Sequence, residues 1–315
     1  MQVSVILPTH APHSGRLHRT LAGLRAQTLP PNRWETLLVD NASPVPLAAA
    51  ALTPVAPPNL RVIAEPALGL TPARLRGIKE AQGELLVFVD DDNVLDPHFL
   101  ENALARFASS AQLGAAGGPV LPEWESPPSE WTRPFHGLLA LRDHGPELLV
   151  AAGGAAAPWP HFAPVGAGLI VRRKAALIYA REVAASPGRH ALDRRAGGLT
   201  SGGDCDLVFT ILHHGSDVAY DPQLRLTHLI PASRLPVAYL ARLNRGIMRS
   251  WVAVLALHGQ CPWPPISRAT VPLRAARAWW RRRVWSGSAA RVRWAGDLGQ
   301  FEGQADLTTS GRPSE

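Results

Sequence analysis

The strongest constraint on the fold is a series of short, almost wholly apolar runs separated by longer stretches. Val3-Ser4-Val5-Ile6-Leu7, Thr36-Leu37-Leu38-Val39, Leu60-Arg61-Val62-Ile63 and Leu85-Leu86-Val87-Phe88-Val89 have the length and composition of buried strands. Between the first two, residues 13–27 predict a helix with Leu17, Leu21 and Leu24 on one face. Residues 71–82 predict another, with Thr71 as N-cap, Pro72 at its first position and Gly83 as its stop. A Pro/Ala-rich loop or short helix runs up to Pro58. Strands alternating with helices, and apolar throughout, predict an α/β fold built on a mostly parallel sheet with helices on both faces. Ligands of such sheets bind beyond the carboxyl ends of the strands. Asp40 ends the second strand and Asp90-Asp91-Asp92-Asn93 follows the fourth, so these acids stand where ligand chemistry belongs.

The rest of the chain is less regular. Residues 121–165 hold three Trp with many Pro and Gly, and predict loops and short helices over the site. Residues 165–171 predict a strand, 174–185 a helix, 186–203 a Gly/Arg-rich loop, 205–213 a helix, and 218–220 and 224–228 two final strands.

Charge separates the chain into parts. Residues 1–250 carry 23 Lys+Arg against 21 Asp+Glu, whereas residues 251–315 carry nine Arg against four acids. A nucleic-acid-binding core needs a basic patch on the folded domain, so the near-neutral body argues against a nucleic-acid partner. Cys205 and Cys261 are too few for a disulfide framework or a Cys-rich zinc site. No secretory signal is visible, and the longest apolar runs fall short of the ~20 residues of a spanning helix. The expected location is the cytoplasm, with peripheral contact to the inner face of the cytoplasmic membrane.

Three successive carboxylates beside a buried strand end repel one another, and burial worsens the repulsion. A divalent cation relieves it, because Mg2+ and Mn2+ prefer oxygen ligands and are commonly shared between carboxylates and substrate phosphates. The competing reading is an acidic turn before the next helix, with Asp96 as N-cap.

Residues 1–230 resemble an inverting family 2 glycosyltransferase of bacterial type with the GT-A fold. The resemblance rests on Val3-Ser4-Val5-Ile6-Leu7-Pro8-Thr9, on Leu38-Val39-Asp40-Asn41-Ala42-Ser43, on Gly69 to Gly77, and on Val89-Asp90-Asp91-Asp92-Asn93. The third is similar to a segment ending Ala-Arg-Asn-x-Gly, with Leu75 where Asn is usual, and the fourth to the DxD motif. It implies a nucleoside-diphosphate sugar donor, with Pro8 and Thr9 in the first loop of its site, Asp40 on the base, Arg74 near the diphosphate, and Asp91 on the ribose or the metal-bound phosphates. Asp92 would be the main ligand of Mg2+ or Mn2+, supported by Asp90. The nucleotide-sugar half would span about 1–120 and the acceptor half about 121–230.

An inverting transfer is a single displacement, in which an acceptor hydroxyl attacks the anomeric carbon opposite the leaving diphosphate. A carboxylate that takes the hydroxyl proton helps by about 10²–10⁴-fold. Ser201-Gly202-Gly203-Asp204-Cys205-Asp206 resembles the family's Gly-Glu-Asp helix start, which makes Asp204 the base, with Gly203 standing where Glu is usual. Asp206 is the rival, and it points about 200° away on a helix. Leu226-Thr227-His228 resembles a segment whose His joins the metal.

Beyond 230 the resemblance fades. A helical Arg/Trp-rich extension is expected over 231–303 and a disordered tail over 304–315. Between Arg268 and Arg293 there are eight arginines and no acid. A helix over 271–285 would align Leu273, Ala276, Trp280 and Val284, flanked by Arg274, Arg277 and Arg281. Such a face suits an anionic membrane surface through residues 268–294, and with it a lipid-linked or glycan acceptor in cell-envelope or exopolysaccharide synthesis. Packing on the core or against another subunit remains the alternative. Other functions weighed are a sugar-nucleotide nucleotidyltransferase, although Pro8 to Gly15 lacks its glycine density, and a non-catalytic nucleotide-sugar-binding member of the family. An oxidoreductase is disfavoured, since no GxGxxG follows the first strand.

Overall fold

The computed structural model describes residues 1–186, 188–193 and 198–310. Its elements are β1 (Val3–Thr9), α1 (Ser14–Arg25), β2 (Trp34–Asn41), α2 (Ala49–Leu52), β3 (Leu60–Glu65), α3 (Leu70–Glu80), β4 (Leu85–Phe88), β5 (Asn93–Leu95), α4 (Phe99–Ala108), β6 (Leu113–Gly117), β7 (Val120–Trp124), β8 (Leu149–Ala151), β9 (Leu169–Arg172), α5 (Arg173–Ala185), α6 (Gly203–His213), β10 (Asp217–Tyr220), β11 (Leu226–Ile230), α7 (Val237–Leu257), α8 (Val271–Arg281) and α9 (Ser288–Ser310).

Two compact units emerge. The first comprises Met1–Glu123, Ala140–His190 and Leu207–Ile230; the second comprises Trp124–Leu139, Ala191–Asp206 and Pro231–Glu315. The second unit thus draws two segments from the region that the sequence assigns to the 1–230 domain.

The first unit is built on an eight-stranded sheet of order β3-β2-β1-β4-β9-β6-β10-β8. β3, β2, β1 and β4 run parallel, as do β6 and β10. β9 is antiparallel between β4 and β6, and β8 is antiparallel to β10. The sheet is therefore parallel in its N-terminal half and mixed beyond. The chain enters β9 through a loop rather than a crossover helix, and an antiparallel neighbour needs no crossover.

Alternation along each strand divides the core. Val3, Val5 and Leu7 meet Leu17, Leu21 and Leu24 of α1 and Phe99 and Ala103 of α4 on one face. Ile6, Leu37 and Val39 meet Ile78 of α3, Tyr179 of α5 and Leu207, Val208, Ile211 and Leu212 of α6 on the other. Helix α3 lies so close to β1 that a Cβ on Gly77 would sit 2.3 Å from Cγ2 of Ile6. A second, three-stranded sheet has the order β5-β11-β7.

Several boundaries differ from expectation. α3 begins at Leu70 with Gly69 as N-cap, and Thr71 is buried inside its first turn. The N-cap of α4 is His98, not Asp96; Asp96 instead accepts the His98 N–H at 3.1 Å. α8 ends at Arg281, four residues short of the expected 285, because Arg283 turns into the left-handed region at φ +49°. α9 continues to Ser310 where a disordered tail was expected from 304; residues 311–315 lie outside the described residues.

In the second unit, α7 and α9 pack together. A Cβ on Gly299 would lie 2.1 Å from the Arg245 carbonyl oxygen, so the two backbones nearly touch. Arg245 pairs with Glu302, and Arg249 with Asp306 at 2.7 Å. Among the described residues no helix is long and apolar enough to cross a membrane.

Candidate active site

β1, β2 and β4 are neighbours in the sheet, and their carboxyl ends carry Pro8 and Thr9, Asp40 and Asn41, and Asp90 to Asp92. Register places Pro8 beside Val39 and Thr9 beside Asp40. The buried Thr9 hydroxyl donates to Oδ2 of Asp91, joining the first strand to the acidic run. Asp40 is buried, and its carboxylate accepts the Ser43 N–H at 3.2 Å and the Leu47 N–H at 2.9 Å, so it shapes the loop after β2.

The loops after β1 and β2 are tied to each other. Nδ1 of His10 lies 2.8 Å from the Asn41 carbonyl oxygen, and the Ala11 N–H donates to the Ser43 hydroxyl at 2.9 Å. Ala11 and Ala42 adopt φ of +46° and +52°, a region that costs a non-glycine residue of order 1 kcal/mol or more. Strain held at the ends of two adjacent strands fits loops shaped for a ligand. Asn41 reaches on to the start of α3, where its Oδ1 accepts the Gly69 N–H at 2.8 Å. From α3 the buried Arg74 places its guanidinium 6.0 Å from the ring centroid of Phe88, two residues before Asp90.

The small sheet solves a long-range problem. Pairing of β5 with β11 sets His228 opposite Asn93, and the Leu229 N–H donates to the Asp92 carbonyl at 2.8 Å. Nε2 of His228 consequently lies 3.5 Å from Oδ2 of Asp92, with both residues buried. The Asn93 amide holds the other carboxylate oxygen at 3.2 Å. Asp92 and His228, far apart in sequence, thus lie side by side. Asp90 does not complete a set with them: among the described residues, no three His, Cys, Asp or Glu side chains form a group able to hold a metal ion.

The remaining residues of interest stand in the second unit. Asp204 is half-buried in the first turn of α6, and its Oδ1 accepts the Cys205 N–H at 2.9 Å. Asp206 is fully buried and lies 2.8 Å from Nε2 of His258, the C-cap of α7. A carboxylate locked in this way is poorly placed to receive a proton from an external hydroxyl. Gly203 donates its N–H to Oδ1 of Asp193 at 3.1 Å. Nothing in the sequence signalled Asp193 or His258, because each owes its place to a partner distant along the chain.

A two-sided α/β sheet with acids at its carboxyl edge is the architecture of an α/β enzyme that binds its ligand beyond the strand ends. The "Glycosyl transferase family 2" profile matches residues 4–176, more than half of the chain, and the chain belongs to that family. It is a glycosyltransferase. No curated protein matches it. Among solved structures, S. aureus TarS 1-349 is 13% identical at a TM-score of 0.50, over 100% of this chain and 93% of that one. The same fragment in complex with UDP is 14% identical at 0.50 with the same coverage. A structure of S. aureus TarS aligns at 13% identity and 0.51 over 96% of this chain and 54% of its own. These likenesses show the fold.

Proposed function

We propose that the protein moves a sugar, with inversion, from a nucleoside-diphosphate sugar to a hydroxyl of a glycan or lipid-linked acceptor in cell-envelope or exopolysaccharide synthesis. The observation that carries this reading is the gathering of Thr9–Asp91, Asp40 and Asp92–His228 around the strand ends of a family 2 glycosyltransferase. A uridine diphosphate donor is favoured because a similar fold, that of TarS 1-349, has been crystallised with UDP.

Asp92 and His228 suit a divalent cation, Mg2+ or Mn2+, as two buried ligands side by side, with Asp90 and Asp91 contributing through the diphosphate or water. Such an ion, when bound, offsets the charge that develops on the leaving diphosphate. Asp40 holds the base-binding loop in shape and lines the base pocket. Arg74 adds positive charge toward the diphosphate. Asp204 takes the proton from the attacking hydroxyl, a role for which its half-buried position suits it better than the enclosed Asp206.

The enzyme works at the cytoplasmic face of a membrane. Support comes from α8 and the turn after it: Leu273, Trp280 and Trp285 are 76%, 68% and 52% exposed, although Val284, expected on the same face, is buried. Exposed Arg274, Arg277 and Arg283 surround them, a pairing suited to anionic lipid headgroups.

The test is UDP release from a panel of UDP-sugars with MnCl2, water serving as acceptor. Asp92→Asn and Asp204→Asn should each lower turnover by about 10²-fold or more. Only Asp92→Asn should also abolish the Mn2+-dependent thermal shift produced by UDP. Full turnover in either variant removes that residue from its role.

A further inference from the structure

The start of α6 is held by three contacts from elsewhere in the second unit. The Ser201 N–H donates to the Ser250 hydroxyl at 3.2 Å, Asp206 meets His258, and the Gly203 N–H meets Asp193. The last contact is the unusual one. A Cβ on Gly203 would lie 2.2 Å from Oδ2 of Asp193 and 2.6 Å from its Cγ. The Asp193 carboxylate therefore occupies the volume in which a side chain at 203 would begin.

Asp193 is 3% exposed and is fixed on its own strand of chain as well, its carbonyl accepting the Thr200 hydroxyl at 2.9 Å. A buried carboxylate needs compensation, and the Gly203 N–H and the positive end of the helix supply it. Position 203 is where the family pattern carries Glu and this chain carries Gly. The glycine and the incoming carboxylate thus form a matched pair, since a side chain at 203 and Asp193 cannot occupy the same space, and losing Asp193 with Gly203 kept leaves no carboxylate there.

We propose that Asp193 supplies, from a separate segment, the carboxylate that the start of α6 lacks at position 203, and that it is a positioning residue for Asp204. This rests on the reading of Asp204 as the base. Its acid group sets the charge beside Asp204 as well as the geometry of the turn.

Three variants and one control decide it, with UDP release from UDP-sugars and MnCl2 as the assay. Asp193→Asn keeps an oxygen that can accept the Gly203 N–H but removes the charge. It should lower kcat by about tenfold or more, with the donor KM within about twofold and the melting temperature near wild type. Asp193→Ala should lose more. Asp193→Ala/Gly203→Glu places a carboxylate at 203 in the space vacated, and should regain about tenfold over Asp193→Ala, a strong departure from additivity. Wild-type kcat in Asp193→Asn, a collapse of its melting temperature, or no rescue in the double variant would each overturn the proposal and leave Asp193 a helix cap. Asp204→Asn is the control. If it keeps full turnover, the base assignment itself falls; if it is inactive while Asp193→Asn is normal, only the role of Asp193 falls.

Discussion

His144 illustrates what partial burial does to a single side chain. Its ring stacks edge-on against Tyr220 at 5.1 Å and against His161 at 5.7 Å, and its Nε2 has no hydrogen-bond partner among the described residues. Desolvation, followed by the charge of Arg142 and the neighbouring His161, lowers its pKa below the ordinary ~6.5, against a smaller opposing effect of Asp143. The unfolded chain then binds a proton near pH ~6.5 while the folded one still refuses it, so the unfolded state is favoured as pH falls. The contribution of His144 to stability is present above about pH 6.5 and is lost on acidification toward its lowered folded value. The fall in melting temperature between pH 7.5 and 5.5 should therefore be smaller for His144→Asn than for wild type. An equal fall in both would show that His144 does not carry this dependence. Asp40, Asp90, Asp91 and Asp92 were legible because each sits at the end of an apolar run, whereas Asp193 and His258 have no local pattern to announce them.

At the scale of elements, the N-terminal half was readable because each strand and helix carries its own periodicity. Gly77 is where two of them meet. Alanine there would gain about 1 kcal/mol of helix propensity. Its Cβ would, however, press to 2.3 Å from a fully buried Ile6 on a central strand, and overpacking of this kind costs about 1–3 kcal/mol. Gly77→Ala should lower the urea midpoint with an unchanged slope, corresponding to a net loss of up to about 2 kcal/mol. An unchanged midpoint would mean that α3 shifts away freely. The C-terminal elements were less legible. The direction of β9 depends on which way the preceding loop returns, and α8 is shortened by one left-handed residue that no periodicity reveals.

At the scale of the whole molecule, excess charge and exposed apolar surface coincide. Of the arginines in the extension, Arg268 pairs with Asp306, and Arg281 and Arg282 pair with Asp297. Trp279, Trp280 and Trp285 form a cluster with ring centroids 5.0 to 5.6 Å apart. Deleting residues 265–315 would not isolate this surface, because α9 lies against the backbone of α7. Replacing Leu273, Trp280 and Trp285 by Ser leaves that contact intact. The triple variant should bind phosphatidylglycerol-containing vesicles about tenfold more weakly, with UDP-sugar hydrolysis unchanged. Equal flotation of variant and wild type would remove the membrane from the picture.

The alternating apolar runs by themselves determined an α/β sheet with acids at its carboxyl edge, since strand period, helix period and the polar residue that ends a strand are all written in contiguous residues. Tertiary structure alone decided that Asp206 is enclosed by His258, that Asp193 fills the place of a side chain at 203, and that Leu273, Trp280 and Trp285 stay exposed. Each of these depends on contacts between segments remote along the chain, which the pattern of either segment alone does not encode.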